Sequence, residues 1–498
     1  MKRAMNSVPN HHSRVARTLI WFVRWVVAGT MGINLCGCAL HKPPAQPAIV
    51  AQALPKATPL PPEWNSTPSA ENVDDDWLKS FQDDGLDEVV SEAIANNLDL
   101  RQSAARVEEA RQSVIVVGSK LKPQVSGTFS GDTTRSKDQG VVQQKQSNTE
   151  LGTVSWELDV WGRVRSQRAA AQENYQAVAL DYAFARQSLA ATTAKSWYLA
   201  IETRQLVTLA EQGVKIYTQL LELVKIRREA GKVADLDVAE AGYQLDEAQN
   251  QLTIEQGLYS EARRNLEVLI GRYPAAELKV AEDFTPLPPP IAPGLPSSLL
   301  ERRPDIVAAE HQVLAAFRNQ EAAKLALLPS FPLNLEGGRL SDPLLSVLGL
   351  NPWLVHGTIG MLVPIYSGGV LRAEIKIATA QQQQSIAYFG SVSLKAFDEV
   401  EVGLTNEQLL AQRLPYSEGA VNDHIEAVRV ANLRYKAGTM DLLSVLQLQA
   451  GEIESQAILI QLRNAQLTNR IELHLVLGGS FDSSPATIVP TASAAKKP

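Results

Sequence analysis

The stretch Trp156-Glu157-Leu158-Asp159-Val160-Trp161-Gly162-Arg163 decides the fold, because its surroundings return 206 residues later around Pro364-Ile365-Tyr366-Ser367-Gly368-Gly369-Val370-Leu371-Arg372. At that offset Gly162 meets Gly368, Val164 meets Val370 and Tyr182 meets Tyr388. Upstream, Asp99 meets Asp305, Val107 meets Val313 and Pro123 meets Pro329. Downstream, Arg227-x-x-Ala230-Gly231-x4-Leu236-x-Val238 returns as Arg434-x-x-Ala437-Gly438-x4-Leu443-x-Val445, now at 207. Few of these pairs mean much alone; their common order and offset imply one unit of roughly 180 residues used twice, with a one-residue slip.

Working outward, two periodicities take turns. Ser126, Thr128, Ser130 and Asp132 alternate with Val125, Gly127, Phe129 and Gly131. After a polar stretch, 133–149, that reads as a loop, Thr153, Ser155, Glu157 and Asp159 alternate with Val154, Trp156, Leu158 and Val160. Period two fits strands with one wet and one apolar face. Before them, Leu86 to Lys120 reads as helix stopped by Pro123. From Arg163 to Tyr273 there is no proline, and Gly231 divides a helical arm 163–229 from a return arm 235–271. At 1.5 Å per residue the arms measure roughly 100 and 55 Å, and few globular domains house a helix of the first length. A helix beginning near Pro304 is expected to stack end to end on the shorter arm, with the Pro-rich connector 286–296 between the repeats.

The second unit repeats the plan: helix 305–327 ending at Pro329, strands near 331–337 and 357–365, and a helix from Leu371. Pro415 predicts a kink or break in that helix. A turn at Gly438 leads to a return arm ending near Leu477. That arm carries Leu443, Leu446, Ala450, Ile453, Ala457, Ile460, Leu467 and Ile471 as a seam of coiled-coil type, interrupted only at Asn464. Gly162, Gly368 and Gly369 are expected to let the backbone turn from strand into helix, and Trp156 and Trp161 to anchor that junction at a membrane interface.

The ends are of another kind. Lys2, Arg3, Arg14, Arg17 and Arg24 precede an apolar run, Trp25 to Leu35, too short to span a bilayer as a helix. Leu35-Cys36-Gly37-Cys38 resembles a bacterial lipobox, which makes 1–37 a signal peptide, with Met1 or Met5 as its start, and Cys38 the lipidated first residue. The other reading is an ordinary secretory signal cleaved nearby. No disulfide is available, because Cys36 and Cys38 are the only cysteines and both lie at the processing site. Residues 38–73, rich in proline, read as an extended tether and 481–498 as a disordered tail; the repeats fill 74–273 and 300–480, joined by 274–299. Without 1–37 the chain has 42 basic and 54 acidic residues, a net charge of −12 that argues against nucleic acid as a partner.

No apolar run after residue 38 is long enough for a membrane helix, so strands must make any membrane passage. Four amphipathic strands cannot close a barrel alone, and a sheet in lipid cannot leave edges unpaired. Two or three chains must therefore share one barrel, and the long rods can close side by side into a tube. A conduit follows from that geometry.

Several fragments together resemble TolC/NodT-type outer-membrane factors, in particular the lipoprotein branch serving tripartite efflux pumps. They are Leu300-Glu301-Arg302-Arg303-Pro304-Asp305-Ile306, Trp156 through Arg163, Leu475-Val476-Leu477-Gly478-Gly479, and the opening from Asp76-Trp77 to Asn97-Leu98-Asp99-Leu100. The resemblance implies a mainly α protein with a membrane β-barrel: a homotrimer with a 12-stranded outer-membrane barrel continued by a periplasmic α-helical tunnel. It implies a lipid-anchored protein of a Gram-negative outer membrane that passes drugs or other small molecules onward. Its partners would be a periplasmic adaptor (membrane fusion) protein and an inner-membrane RND-type pump. A duct for an ABC-type or major-facilitator exporter is the alternative, and a periplasmic adaptor lipoprotein the alternative of another class.

On this resemblance the two glycine turns lie at the periplasmic tip, where adaptor hairpins would dock. Gly231 and Gly438 suit the left-handed position that ends a helix. Arg227 and Arg434 fall in the last turns, complementing the helix dipole, and Asp235 and Asp441 are candidate caps of the return helices. The acidic pair that rings the family's aperture would fall at Ser444 and Gln447 here, a departure. Asp237, its counterpart in the first repeat, is retained, with Glu240 and Asp441 nearby. No metal-ligand spacing, nucleophile motif or phosphate-cradling loop appears, so neither cofactor nor catalytic activity is expected. His424 and His474 read as surface or seam residues.

Overall fold

The computed structural model describes residues 40–54, 61–66, 75–138, 141–341 and 353–480; Cys38, the signal segment and the tail lie outside them. The chain divides into two compact units, one of residues 1–43, 119–167 and 321–371, the other of 44–118, 168–320 and 372–498.

The first unit is a four-stranded antiparallel sheet, β1 (Gln124–Asp138), β2 (Val141–Glu157), β3 (Pro332–Ser341) and β4 (Trp353–Ile359), in chain order. Its register explains the alternation. Val125, Val154, Leu335 and Gly357 lie opposite one another across the sheet, as do Gly127, Gly152, Gly337 and Val355. Between these rows run Gln124, Ser155, Asn334 and Thr358, and Ser126, Thr153, Glu336 and His356. Directly opposed residues share a face, so in these four rows apolar and polar alternate across all four strands. Val125 (78 % exposed) and Phe129 (81 % exposed) have no protein cover in a single chain.

The expected loop at 133–149 is a correction: the β1–β2 ladder continues through it to Asp138 opposite Val141. Alternating hydrophobicity reports a strand only where one face meets an apolar medium, whereas backbone pairing needs no such face. In the second repeat the sequence placed the last strand at 357–365, but β4 ends at Ile359. Among the described residues no helix is long and apolar enough to cross a membrane.

Helices α1 (Gln46–Ala53), α2 (Trp77–Ser80), α3 (Asp84–Asn96) and α4 (Leu98–Ser119) precede the strands. The long helix α5 spans Arg163–Glu229, 67 residues, and α6 (Asp235–Leu269) returns. In the second repeat α7 (Pro296–Arg302) and α8 (Pro304–Leu325) precede α9 (Val370–Ala437, 68 residues) and α10 (Leu442–Val476). The break expected at Pro415 is absent, and α9 runs through it. Pro415 and Ala411, whose carbonyl loses its donor, are both exposed, so water can satisfy that oxygen.

The helix that completes the short return arm is also a correction. Asn97 accepts from Leu100 N–H at the start of α4 and donates from Nδ2 to Leu269 O at the end of α6, each at 3.0 Å. Thus α6 meets α4 of its own repeat, not the helix at Pro304. In the second repeat, α8 and α10 are joined likewise by Arg303, the counterpart of Asn97 at the 206 offset. Its Nη1 donates to Val476 O (3.4 Å), and its other nitrogens pair with Asp305 (2.9 Å) and Glu399 (2.6 Å). The Glu-Arg-Arg-Pro-Asp block is therefore a helix splice.

Three apolar clusters hold this unit. Leu86, Val90, Ala194, Tyr198, Leu266 and Ile471 join α3, α5, α6 and α10. Ile306, Val313, Phe389, Val400 and Val476 join α8, α9 and α10. Near the turns Val224, Ala241, Tyr435, Val445 and Leu446 join α5, α6, α9 and α10. Because α10 packs on more than one neighbour, its buried stripe is wider than the sequence seam. Leu442 and Val445 are buried, while Leu443 and Ala450 are exposed. Asn464, the one break in that seam, is buried and donates to Glu202.

The proline-rich segment is not a free tether along its described part. Ile49 on α1 is buried, and Trp64 donates to Pro293 O (3.3 Å) and packs on Phe397. Asn65 and Ser66 donate backbone N–H groups to Glu401 at 2.9 and 3.2 Å. Composition suggested extension, but two large apolar side chains suffice to dock so short a segment. The connector between repeats is held by Arg470, fully buried, which donates to Pro288 O and Pro289 O and pairs with Glu407.

Candidate functional site

Both long helices end alike. Gly231 has φ +68° and Gly438 φ +76°. Gly231 N–H donates to Arg228 O and Lys232 N–H to Arg227 O, each at 2.9 Å; Gly438 and Thr439 repeat this on Tyr435 O and Arg434 O at 3.0 Å. Each pair of bonds satisfies carbonyls that a helix end leaves unpaired, with glycine in the left-handed position.

The side chains at these turns behave less uniformly. Arg227, expected to serve its own helix end, donates from Nη1 to Tyr435 O (2.5 Å) at the end of α9, its guanidinium 4.3 Å from the Tyr435 ring centre. It therefore clamps one hairpin to the other. Burial raises the Tyr435 pKa. Arg434 is exposed. Asp441 caps α10 as expected, accepting from Ser444 N–H and Oγ at 2.8 Å, and these bonds hold its carboxyl below the usual range. Asp235 does not cap α6 and instead pairs with Arg228 (2.6 Å). Ala234 occupies the cap position without a side-chain acceptor, and Asp237 folds back onto Ala234 N–H (2.7 Å). The backbone places the acid three residues past the cap, where it does half of a capping box.

Of the four aperture candidates, Asp237 and Ser444 are thus engaged at their own helix starts. Glu240 is half-buried and Gln447 exposed. Among the described residues no group of three or more His, Cys, Asp or Glu side chains is placed to hold a metal ion.

In the sheet unit, the opening fragment is a built turn. Asp159 accepts from Val164 N–H and Arg165 N–H, both 3.0 Å, capping α5. Glu157 takes both its oxygens to Arg163 Nη2 at 2.8 Å. Trp161 donates to Pro329 O (2.7 Å) and Trp156 to Leu121 O (3.1 Å). Gly162 (φ +85°), Gly368 (φ +60°) and Gly369 (φ +88°) make the reversals that only glycine accepts without strain. The roles of Asp159 and Glu157 escaped the sequence reading, although an acid just ahead of a Gly-Arg helix start is a capping signal.

The chain matches the outer membrane efflux protein family over residues 89–272 and 295–479. It is 30 % identical over 462 residues to the toluene efflux pump outer membrane protein TtgC of Pseudomonas putida, covering 90 % of this chain and 93 % of that one. It is 28 % identical to the pyoverdine export outer membrane protein OpmQ of the same species, covering 92 % and 97 %. Among solved structures it resembles the open state of the MtrE outer membrane channel of Neisseria gonorrhoeae, with a TM-score of 0.74, 25 % identity, and 87 % and 99 % of the two chains covered.

The class defined by duplicated strands and long helix hairpins is thus the outer-membrane efflux channel. This chain belongs to the outer membrane efflux protein family. It is the outer-membrane channel of a tripartite efflux system of a Gram-negative bacterium.

Proposed function

We propose that three copies of this chain close one 12-stranded barrel in the outer membrane, with their helix hairpins forming a periplasmic tunnel, and that Cys38 carries a lipid anchor. The observation that carries this reading is the sheet order: among the described residues β1 and β4 each pair on one side only. Edges of that kind cost several kcal/mol per unpaired group in lipid, and copies of the same sheet remove them by pairing β4 of one chain with β1 of the next. The apolar rows then face lipid and the polar rows the lumen.

The hairpin turns dock a periplasmic adaptor, which hands over small molecules selected by an inner-membrane pump of RND type. The cargo names of the relatives, toluene and pyoverdine, fit a duct that takes what its pump delivers. Mass measurement of the detergent-solubilised full chain should return a trimer that conducts ions across a planar bilayer; a stable monomer, soluble without its anchor, refutes the reading. A charge swap, Arg434→Glu, should abolish efflux in cells supplied with adaptor and pump while trimer yield is unchanged. Undiminished efflux places docking elsewhere.

A further inference from the structure

Beside the strand-to-helix junction of the sheet unit lies a half-open cavity of about 320 Å³. Leu325, Leu328, Leu362, Pro364 and Leu371 supply apolar lining. Its charged lining groups are already engaged: Glu157 with Arg163, and Asp159 with the first amides of α5. The indole N–H of Trp161, also in the lining, is bonded to Pro329 O. What remains to receive a ligand is chiefly carbon, which favours an apolar guest.

The chain itself leads a candidate guest to this place. Leu40 Cδ2 lies 3.5 Å from the position a Cβ on Gly162 would take, and Gly162 falls between two lining residues, Trp161 and Arg163. His41 Nδ1 lies 3.1 Å from Glu321. The described chain thus arrives at the cavity rim, and Cys38 lies only two residues further on. Two residues reach at most about 7 Å. Resting on the lipid-anchor reading, we propose that this cavity receives an acyl chain carried by Cys38, so that the anchor is seated in the protein's own junction instead of lying wholly in the bilayer. A seated chain would tie the start of the mature chain to both strand-to-helix turns at once.

The test uses full-length protein from cells fed a palmitate that carries a diazirine and a terminal alkyne. After irradiation and purification, alkyne-tagged peptides are mapped by mass spectrometry. The proposal expects the Cys38 lipopeptide cross-linked chiefly to segments 157–163, 325–330 and 362–371. Cross-links confined to strand segments 124–131 and 353–359, or to phospholipid, overturn the seat while leaving the anchor standing. Absence of label from Cys38 overturns the anchor, and the seat with it.

Discussion

His474 offers a pH test with a calculable size. It is buried on α10, its ring stacked on Trp77 with centroids 5.5 Å apart and planes 16° apart, and Phe81 lies at 6.5 Å. Its Nδ1 has no hydrogen-bond partner among the described residues. Burial, helped by the nearby Arg470 guanidinium, pushes its pKa from 6.5 down to about 3. Between those two values the unfolded chain holds a proton that the folded chain refuses, so stability falls as pH drops below 6.5. Integrated from pH 7 to pH 5, the loss is about 2 kcal/mol per chain. His474→Phe keeps a flat ring against Trp77 and removes the titration. Urea unfolding in detergent, followed by tryptophan fluorescence at both pH values, should show wild type losing about 2 kcal/mol more than the variant over that interval. Equal losses would mean that the imidazole reaches water in the folded protein, and the burial argument would fail.

Other outcomes follow from contacts already described. Arg227→Ala removes the clamp on Tyr435 and should raise single-channel conductance at unchanged yield of assembled channel; unaltered conductance would show that the clamp does not restrict the hairpin turns. Gly438→Ala, at φ +76°, should cost about 1 kcal/mol, whereas Gly419→Ala, inside α9 with nothing within 4 Å of the new Cβ, should stabilise by about 0.5–1 kcal/mol. Thermal melts of the two variants should therefore move in opposite directions. Glu401→Ala removes the carboxylate that accepts from Asn65 and Ser66 and should speed proteolysis within residues 40–66. Burial raises the Glu401 pKa, but hydrogen bonds from Ser66 and Asn65 outweigh it and leave the group lowered. The same segment should therefore loosen in wild type as pH falls through that lowered value.

Much of this architecture is legible in the sequence. The ends of α5 were legible to the residue, because a proline-free run bounded by Gly162 and Gly231 leaves a helix nowhere else to stop. The two glycine turns were legible for the same reason. Strand length was not, since residues 133–149 carry no apolar alternation although the backbones of 133–138 and 141–149 pair. Helix order was not either: the Asn97 contact to Leu269 spans 172 residues, and neither side chain advertises the other. At the turns, one offset in the duplicated pattern hid a difference in mechanism. Asp441 caps α10 directly, whereas the first repeat uses Asp237 from inside the helix and assigns Asp235 to Arg228. Arg227 looked like a partner of its own helix dipole and serves its neighbour, because only the fold brings Tyr435 beneath it.

The open margins of the sheet have a genetic consequence. If β1 of each copy must mate with β4 of another, a variant with a spoiled margin harms every ring that admits it. In the proposed three-copy ring, expressed equally with normal copies and mixing freely, it would leave only about one ring in eight wholly normal. Such lesions should behave as dominant, sensitising a cell that still carries an intact gene, while lesions confined to one hairpin tip should be far more forgiving.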